Sequence, residues 1–444
     1  MMKPGKYQFS ILFFFLLVCV QPLISDTILK HPDPTEPLEQ RWQWALGQVR
    51  DKELKDGFWI GYSFQKLMGE QSTICSSRSG DWQDHTSLDE LINGRKSGPD
   101  ADKRSDDEII RDEARNALER ASRREQEGTK ILKEVAVLFQ FGREGGLRDV
   151  QVNNISLSVD LGKLPLIWLH GADTEQSIHR IEHIYFEMKD KSLKDELITA
   201  AGVHESSECV VAFLKRILES DTSLDSRENA VFWLGQQDRR DALHILENAA
   251  QKNKSQSIRE KAVFGMSQMR LPEATAALIN LAKSADHEDV REQAIFWLGQ
   301  KDDTQVVKLL VAIANADPSE SVMEKAVFAL SQQSNEVAVE ALIDLARRGK
   351  TEGARMKAIF WLGQKASARA GEALEDVAYD DDDLEIQEQA VFAVSQLPGK
   401  YSVPVLIKLS KSHPNPGVRK KAVFWLGQSD DPRALETLID IVRK

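Results

Sequence analysis

Residues 294–300 read AIFWLGQ, and related heptapeptides return throughout the second half of the chain. The copies follow a 32-residue period, without an insertion or deletion between them. They open at Ala230, Ala262, Ala294, Ala326, Ala358, Ala390 and Ala422. A unit this short cannot bury an apolar face by itself, so neighbouring units must bury one another. The repeat therefore predicts a mainly α fold, a right-handed α-solenoid of helical hairpins over residues 191–444.

The chain before the repeats predicts a small α+β module at residues 26–190. Alternating apolar residues predict strands at Gly57–Leu67, Glu134–Phe141 and Val150–Val159. Thr174 is the predicted cap of a helix with Ile178, Ile181 and Tyr185 on its core face. The charged stretch at about 76–130 predicts a linker leading into an exposed helix.

The first 25 residues are typical of a signal peptide. Lys3 and Lys6 precede an apolar run, Ile11–Val20, and the small residue Ser25 marks a cleavage site. The run is too short to span a membrane comfortably. These features predict an exported protein, periplasmic or secreted, with no stable membrane span after cleavage. The alternative is an uncleaved segment that tethers the protein to the membrane.

Charge and cysteine content narrow the class of protein. The formal net charge is −12, so there is no basic excess to displace counterions from nucleic-acid phosphates, and we expect no nucleic-acid partner. Signal cleavage leaves two cysteines, Cys75 and Cys209. An oxidising compartment permits one bridge between them. The apolar pattern around Cys209 favours two independent thiols.

The repeat unit resembles the HEAT repeat in a short form. The matching residues in one copy are Pro272, Leu278, Ile279, Ala282, Asp286, Val290, Arg291, Ala294, Leu298 and Gly299. The N-terminal half, with its Leu161–Leu169 segment, is similar to bacterial exported HEAT-repeat proteins that carry an α+β module and have no settled activity. The resemblance implies a fold and a compartment, because HEAT arrays serve many functions.

The second helix of each hairpin is numbered here from its alanine, as position 0. Arginine at −3 in five copies predicts a structural ladder to loop aspartates such as Asp286. Tryptophan at +3 in alternate copies makes the true unit a pair of hairpins, and we expect these four side chains in the core: Trp233, Trp297, Trp361 and Trp425. Large side chains stacked opposite small ones would fill the space between repeats.

Position +2 is phenylalanine in every copy, about 200° around the helix from the alanine. The HEAT resemblance implies that this side lines the concave face. The seven residues are Phe232, Phe264, Phe296, Phe328, Phe360, Phe392 and Phe424. The same row holds Glu260, Glu292 and Glu324 at −2, and at +6 it holds Gln236, Gln268, Gln300, Gln332, Gln364, Gln396 and Gln428.

An exposed row of seven phenylalanines exceeds the apolar patch that a monomer normally shows. Aromatic anchors beside amides and carboxylates suit an extended or helical peptide. The row therefore predicts a non-catalytic scaffold that binds a protein or peptide of the cell envelope. The alternative is that adjacent phenylalanines bury one another, since helices in neighbouring repeats lie about 8–10 Å apart.

One motif offers an enzymatic alternative. Residues 179–183 spell HRIEH, in which His179 and His183 could hold zinc with Glu182 as base, as in the inverted zinc peptidases. The roughly 160 residues before the solenoid cannot supply that peptidase fold. This motif remains a candidate for metal binding or for a zinc hydrolase.

The repeats also resemble deoxyhypusine hydroxylase, whose iron ligands are His-Glu pairs on several inner helices, and the bilin lyases. This chain has two such pairs, His204-Glu205 and His287-Glu288, both in connecting segments and without repeat symmetry. Nothing in the sequence marks a bilin pocket. We therefore predict no catalytic residues and no cofactor. A further alternative is a structural array whose working surface is the N-terminal module.

Overall fold

The computed structural model describes residues 28–52, 54, 56–76, 87–93, 130–301 and 303–443. The predicted signal peptide and the predicted helix within 76–130 lie outside these ranges. The chain divides into two compact units, Met1–Met188 and Lys189–Lys444. None of the described helices combines the length and apolar character needed to cross a membrane.

The first unit contains five strands and three helices in its described part. The strands are β1 Ile28–Lys30, β2 Phe58–Gly69, β3 Lys130–Phe141, β4 Leu147–Asn154 and β5 Leu166–Gly171. The helices are α1 Leu38–Asp51, α2 Leu88–Asn93 and α3 Thr174–Glu187. One sheet contains all five strands in the order β1-β5-β2-β3-β4. β5 pairs in parallel with β1 and β2, whereas β3 pairs antiparallel with β2 and β4.

Two details of the predicted module are wrong. The third strand ends at Asn154 instead of Val159, because Leu157 N–H donates to the Asn154 carbonyl at 3.0 Å and closes a turn. Asp173, and not Thr174, caps α3 by accepting a hydrogen bond from Gln176 N–H at 2.7 Å. Helix α1 and strand β5 were not predicted.

Two buried arginines lie beside the sheet, on α1 and α3. Arg41 donates to the Leu169 carbonyl, and Arg180 pairs with Glu39 while its guanidinium lies 4.8 Å from the Trp42 ring centre. Burial lowers the pKa of both arginines. Each buried cation is thus compensated by a carbonyl, a carboxylate or an aromatic face.

The second unit is built of helical hairpins, as the repeat predicted. Its helices are α4 Lys191–Gly202, α5 Glu208–Ser220, α6 Leu224–Gly235, α7 Arg240–Lys252, α8 Gln256–Gln268, α9 Pro272–Ser284, α10 Glu288–Gly299, α11 Thr304–Ala316, α12 Glu320–Gln332, α13 Glu336–Arg348, α14 Glu352–Gly363, α15 Ala368–Asp380, α16 Leu384–Gln396, α17 Gly399–Ser412, α18 Pro416–Leu426 and α19 Pro432–Arg443. The even-numbered helices from α6 to α18 are the second helices, and each packs on the next. The predicted α-solenoid is confirmed.

Small residues bring every other pair of second helices together. A Cβ at Gly235 on α6 would lie 2.5 Å from the Gly265 Cα on α8. A Cβ at Gly299 would lie 2.7 Å from the Ala329 Cβ, so α10 and α12 repeat the same close contact. Gly363 and Ala393 form the third copy, between α14 and α16. The intervening pairs of second helices are joined by aromatic rings.

Three of the arginines at −3 form the predicted ladder: two pair with loop aspartates, Asp317 and Asp381, and the third pairs with Asp289. Arg259 pairs with Asp289 through Nε–Oδ2 at 3.0 Å, and Arg291 pairs with Asp317 at 3.2 Å. Asp286 is exposed and is not the partner of Arg291, so that part of the expectation was wrong. Both arginines also donate to carbonyls of the preceding loop. Arg259 thus fixes α8 to the preceding loop and to α10, and Arg291 fixes α10 to the preceding loop and to Asp317 at the end of α11.

Substitution of Arg259 by alanine should destabilise the solenoid. Its side chain is only 10% exposed, so Arg259→Ala removes charged hydrogen bonds from a largely desolvated site, and we expect a loss of about 2 kcal/mol. Urea unfolding followed by circular dichroism measures it. The matched control is Arg240→Ala, because Arg240 also pairs with a carboxylate but is 78% exposed. Equal effects of the two substitutions would contradict the proposed role of the ladder.

Candidate functional site

The candidate site is the aromatic row, defined as the seven phenylalanines at +2 and the four tryptophans at +3. The phenylalanines fall into two groups by exposure. Phe232, Phe360 and Phe424, each on a helix that also carries tryptophan, are 39%, 36% and 57% exposed. The four others, Phe264, Phe296, Phe328 and Phe392, are partly buried.

Each tryptophan from Trp297 onward is flanked by two phenylalanines. The Trp297 ring lies 5.0 Å from Phe264 of the preceding repeat and 5.0 Å from Phe296 of its own helix. Trp361 and Trp425 have the equivalent pairs of neighbours at 5.1–5.6 Å. Edge-on contacts within a helix and tilted contacts between helices are favourable arrangements of aromatic rings. The three clusters, called here the aromatic trios, join α8 to α10, α12 to α14 and α16 to α18.

The trios correct two expectations. The tryptophans are partly buried instead of lying wholly in the core. The ring contacts described between repeats join phenylalanine to tryptophan, so adjacent phenylalanines do not bury one another as the alternative supposed. Each trio therefore packs two repeats together and still leaves part of its aromatic surface in solvent.

The seven glutamines at +6 are all exposed at the ends of the second helices. In the helices without tryptophan, a serine holds the glutamine. Gln268 Nε2 donates to Ser267 Oγ at 3.0 Å, and this hydroxyl donates to the Phe264 carbonyl at 2.7 Å. The same pair of hydrogen bonds recurs two and four repeats later, at Ser331 and Ser395. A glutamine held through Nε2 still has an amide oxygen that can accept a hydrogen bond.

The glutamates at −2 are engaged within the array. Glu324 accepts from Lys357 Nζ at 3.1 Å, and Glu292 accepts from Ser321 Oγ, both across a repeat boundary. Glu260 accepts from Gln256 Nε2 at 2.8 Å within its own helix. These contacts give the predicted binding glutamates a structural role in the described chain.

A groove opens beside the second trio. Its volume is about 560 Å³, and Phe328, Phe360 and Trp361 form its aromatic wall. Met356 at −2, where five of the other six repeats carry glutamate, adds an apolar surface, and Lys325 stands at the rim. Met356 was not among the predicted site residues, although the break in the row of glutamates was a visible signal.

The aromatic contacts between repeats should be worth more than those within a helix. Phe264→Ala removes a ring that packs on Trp297 of the next repeat, and we expect a loss of about 2 kcal/mol, measured by urea unfolding. Phe232→Ala is the matched control, because Phe232 is more exposed and its described ring contact is to Trp233 of its own helix. A larger loss at Phe232 would contradict this account of the trios.

The HRIEH motif lies on α3 with both histidines exposed. His183 Nδ1 is 3.6 Å from Glu187 Oε2, and His179 borders a cleft with Glu39 and Asp173. The part of the chain that the structure describes contains no group of three or more His, Cys, Asp or Glu side chains arranged to hold a metal ion. His204 is buried and bonded to the Ala200 carbonyl, and His287 stands at the start of α10. The cysteines Cys75 and Cys209 are both free.

Metal analysis tests the zinc alternative directly. We expect less than one zinc per chain in the purified protein, because the described residues bring no set of three ligands together around these two exposed imidazoles. His183→Ala should leave that content unchanged, as should the control His244→Ala at another exposed histidine. One zinc per chain that is lost only in His183→Ala would restore the enzymatic alternative.

A family model described as HEAT repeats matches residues 211–295, 275–363 and 371–444, together more than half of the chain. The matched segments lie in the helical unit, from within α5 to its end, apart from residues 364–370. No curated protein matches the sequence significantly.

Several solved structures are similar in part. Human deoxyhypusine hydroxylase is 16% identical, covering 60% of this chain and 97% of that one, with a TM-score of 0.26. Escherichia coli YibA is 20% identical, covering 56% of this chain and 97% of that one, with a TM-score of 0.29. Importin beta is 14% identical, covering 57% of this chain and 38% of that one, with a TM-score of 0.33. None of these similarities bears on activity or partners.

Proposed function

The chain belongs to the HEAT repeat proteins, and from that premise we propose that it is a non-catalytic scaffold that binds a polypeptide along the aromatic row. HEAT solenoids are typical of scaffolds for protein partners, although some proteins of this fold are enzymes. One observation carries the proposal. The phenylalanines at +2 stay at least partly exposed in all seven repeats, although the tryptophans could shield them.

The exposed area of these phenylalanine rings is larger than packing between repeats requires. A phenylalanine needed only to join two repeats would gain most from full burial, at about 25 cal/mol for each Å² of apolar surface. Phe232, Phe360 and Phe424 instead keep a third or more of their surface in solvent. Exposed aromatic side chains that recur along one row of the array are typical of a surface that binds a partner. Aromatic side chains are also the common anchors of protein interfaces.

The exposed glutamines suit the backbone of a bound segment. A side-chain amide offers both donors and acceptors, which an extended peptide requires for its N–H and C=O groups. Gln300 and Gln364 stand next to the first and second trios, one helical turn beyond the rings. Each second helix therefore carries an aromatic anchor and an amide one helical turn apart, and this arrangement suits the binding of a peptide.

We propose a location outside the cytoplasm, on the basis of the N-terminal sequence. The lysines and apolar run before Ser25 support export, and the partner would then be a protein or peptide of the cell envelope. A tether formed by the uncleaved segment is the alternative. Either arrangement leaves the repeats in the same compartment as the partner.

Site-specific photo-crosslinking tests the proposed surface. A benzophenone amino acid at Gln364, beside the second trio, should give an adduct in the source organism that Phe360→Ser abolishes. The control position is Lys308, which is exposed on the first helix α11. Thermal unfolding of Phe360→Ser should move little, because Phe360 is 36% exposed.

Adducts of equal yield from Gln364 and Lys308 would contradict a role for the aromatic row. An adduct from Gln364 that survives Phe360→Ser would do the same. Loss of the adduct together with a strongly lowered melting temperature would show that the ring serves folding, and would direct attention to the N-terminal module.

A further inference from the structure

The groove beside the second trio differs from the equivalent positions in the other repeats. All three trios present two phenylalanines and a tryptophan, yet the rim residue at −2 is Glu292 in the first, Met356 in the second and Lys420 in the third. Only methionine places a flexible apolar side chain beside the rings, and a thioether adapts to varied partners. The described groove of about 560 Å³ is lined by this methionine. It is the size of a site for a small ligand or for several peptide side chains.

The charges around the groove are unequally compensated. Lys357 pairs with Glu324 at 3.1 Å, and Lys421 pairs with Glu388 at 2.6 Å. Lys325 at the rim is exposed, and among the described residues it forms no ion pair. Glu292, the residue that would occupy the equivalent place opposite Lys325, accepts from Ser321 instead. The groove therefore presents one uncompensated ammonium beside aromatic walls.

Positive charge also predominates beside the aromatic row in the last repeats, at positions −2 and −1. Positions −2 and −1 hold four glutamates and two lysines in the first four repeats, but one glutamate and three lysines in the last three. Lys420 is exposed and, within the described ranges, also lacks an ion-pair partner. Glu320 and Glu352 lie at the first residues of α12 and α14, where helix N-termini stabilise them. At these positions the last three repeats thus carry a charge opposite in sign to that of the whole chain, which is −12.

We infer that this groove takes apolar side chains of an acidic polypeptide segment, which lies over the last four second helices, α12 to α18. The inference rests on the proposed binding function and names the chemistry of the partner. Apolar side chains fill the space between Met356 and the rings, and neighbouring carboxylates pair with Lys325 and Lys420. The net charge of the chain alone would have indicated a basic partner.

Peptide binding to the full chain tests the inference. Three fluorescein-labelled peptide libraries of about ten residues are used, since an extended peptide of that length covers roughly the three helix spacings between α12 and α18. One library fixes Asp and Glu at alternate positions with apolar residues between them, and a second fixes Lys and Arg. A third, acidic library carries serine in place of the apolar residues. Fluorescence anisotropy gives the Kd of each.

The substitutions use residues that the array itself carries at the same positions, so folding is preserved. Met356→Glu introduces the residue found at −2 in five other repeats. Lys325→Gln introduces glutamine, which stands at −1 in two other repeats as Gln293 and Gln389. The matched control is Lys261→Gln, at the position equivalent to Lys325 but two repeats earlier. Circular dichroism melting of each variant checks the fold.

We expect the acidic apolar library to bind the unaltered chain best. The same library should bind Met356→Glu about tenfold more weakly, because a carboxylate would then line the apolar groove. Lys325→Gln should weaken binding severalfold and reduce its salt dependence, whereas Lys261→Gln should change neither. Tighter binding of the basic or the serine library would overturn the inference, as would an unchanged Kd in Met356→Glu. If crosslinking at Gln364 persists in any of those cases, the chemistry named here fails and the proposed binding surface stands.

Discussion

The solenoid depends on two kinds of contact that alternate between its second helices. Glycine or alanine on both sides brings α6 against α8, α10 against α12 and α14 against α16. Phenylalanine and tryptophan fill the wider space between the intervening pairs. Because both contacts recur in every second repeat, a side chain that suits one interface collides or leaves a void in the other. The double repeat is thus a packing requirement.

The same side chains form the candidate site. The rings that bridge two helices are not fully covered by them, and every trio keeps part of its aromatic surface in solvent. Polar residues next to the rings also join neighbouring repeats, as in the ion pair between Glu324 on α12 and Lys357 on α14. Stability and recognition therefore draw on one set of side chains, and the groove at Met356 arises where a charged member of that set is replaced by an apolar one.

The N-terminal unit shows a different use of polar groups. Its central strand β2 is buried on both faces over residues 58–64, and the arginines of α1 and α3 are buried beside the sheet. Strand β5 is itself buried over residues 166–169, and burial on both faces removes the polar–apolar alternation that predicts a strand, so β5 gave no period-two signal. The buried Tyr62 hydroxyl is bonded to Ser177, and burial raises its pKa above the usual range. A hydrogen-bonded core of this kind cannot be read from residue types alone.

The sequence by itself determined the hairpin repeat, its 32-residue period, the doubled unit of two hairpins, and the phenylalanine row with its glutamines. These features follow from local geometry, since a helix turns by a fixed angle per residue and identical spacing gives identical faces. Tertiary structure decided that the tryptophans are only partly buried, that Asp317 is the partner of Arg291, that Glu292 and Glu324 hold repeats together, and that a groove opens at Met356. Each of these features depends on side chains about one repeat away. The distance between two packed helices is set by the side chains of both helices, so it does not follow from the spacing of residues within one helix.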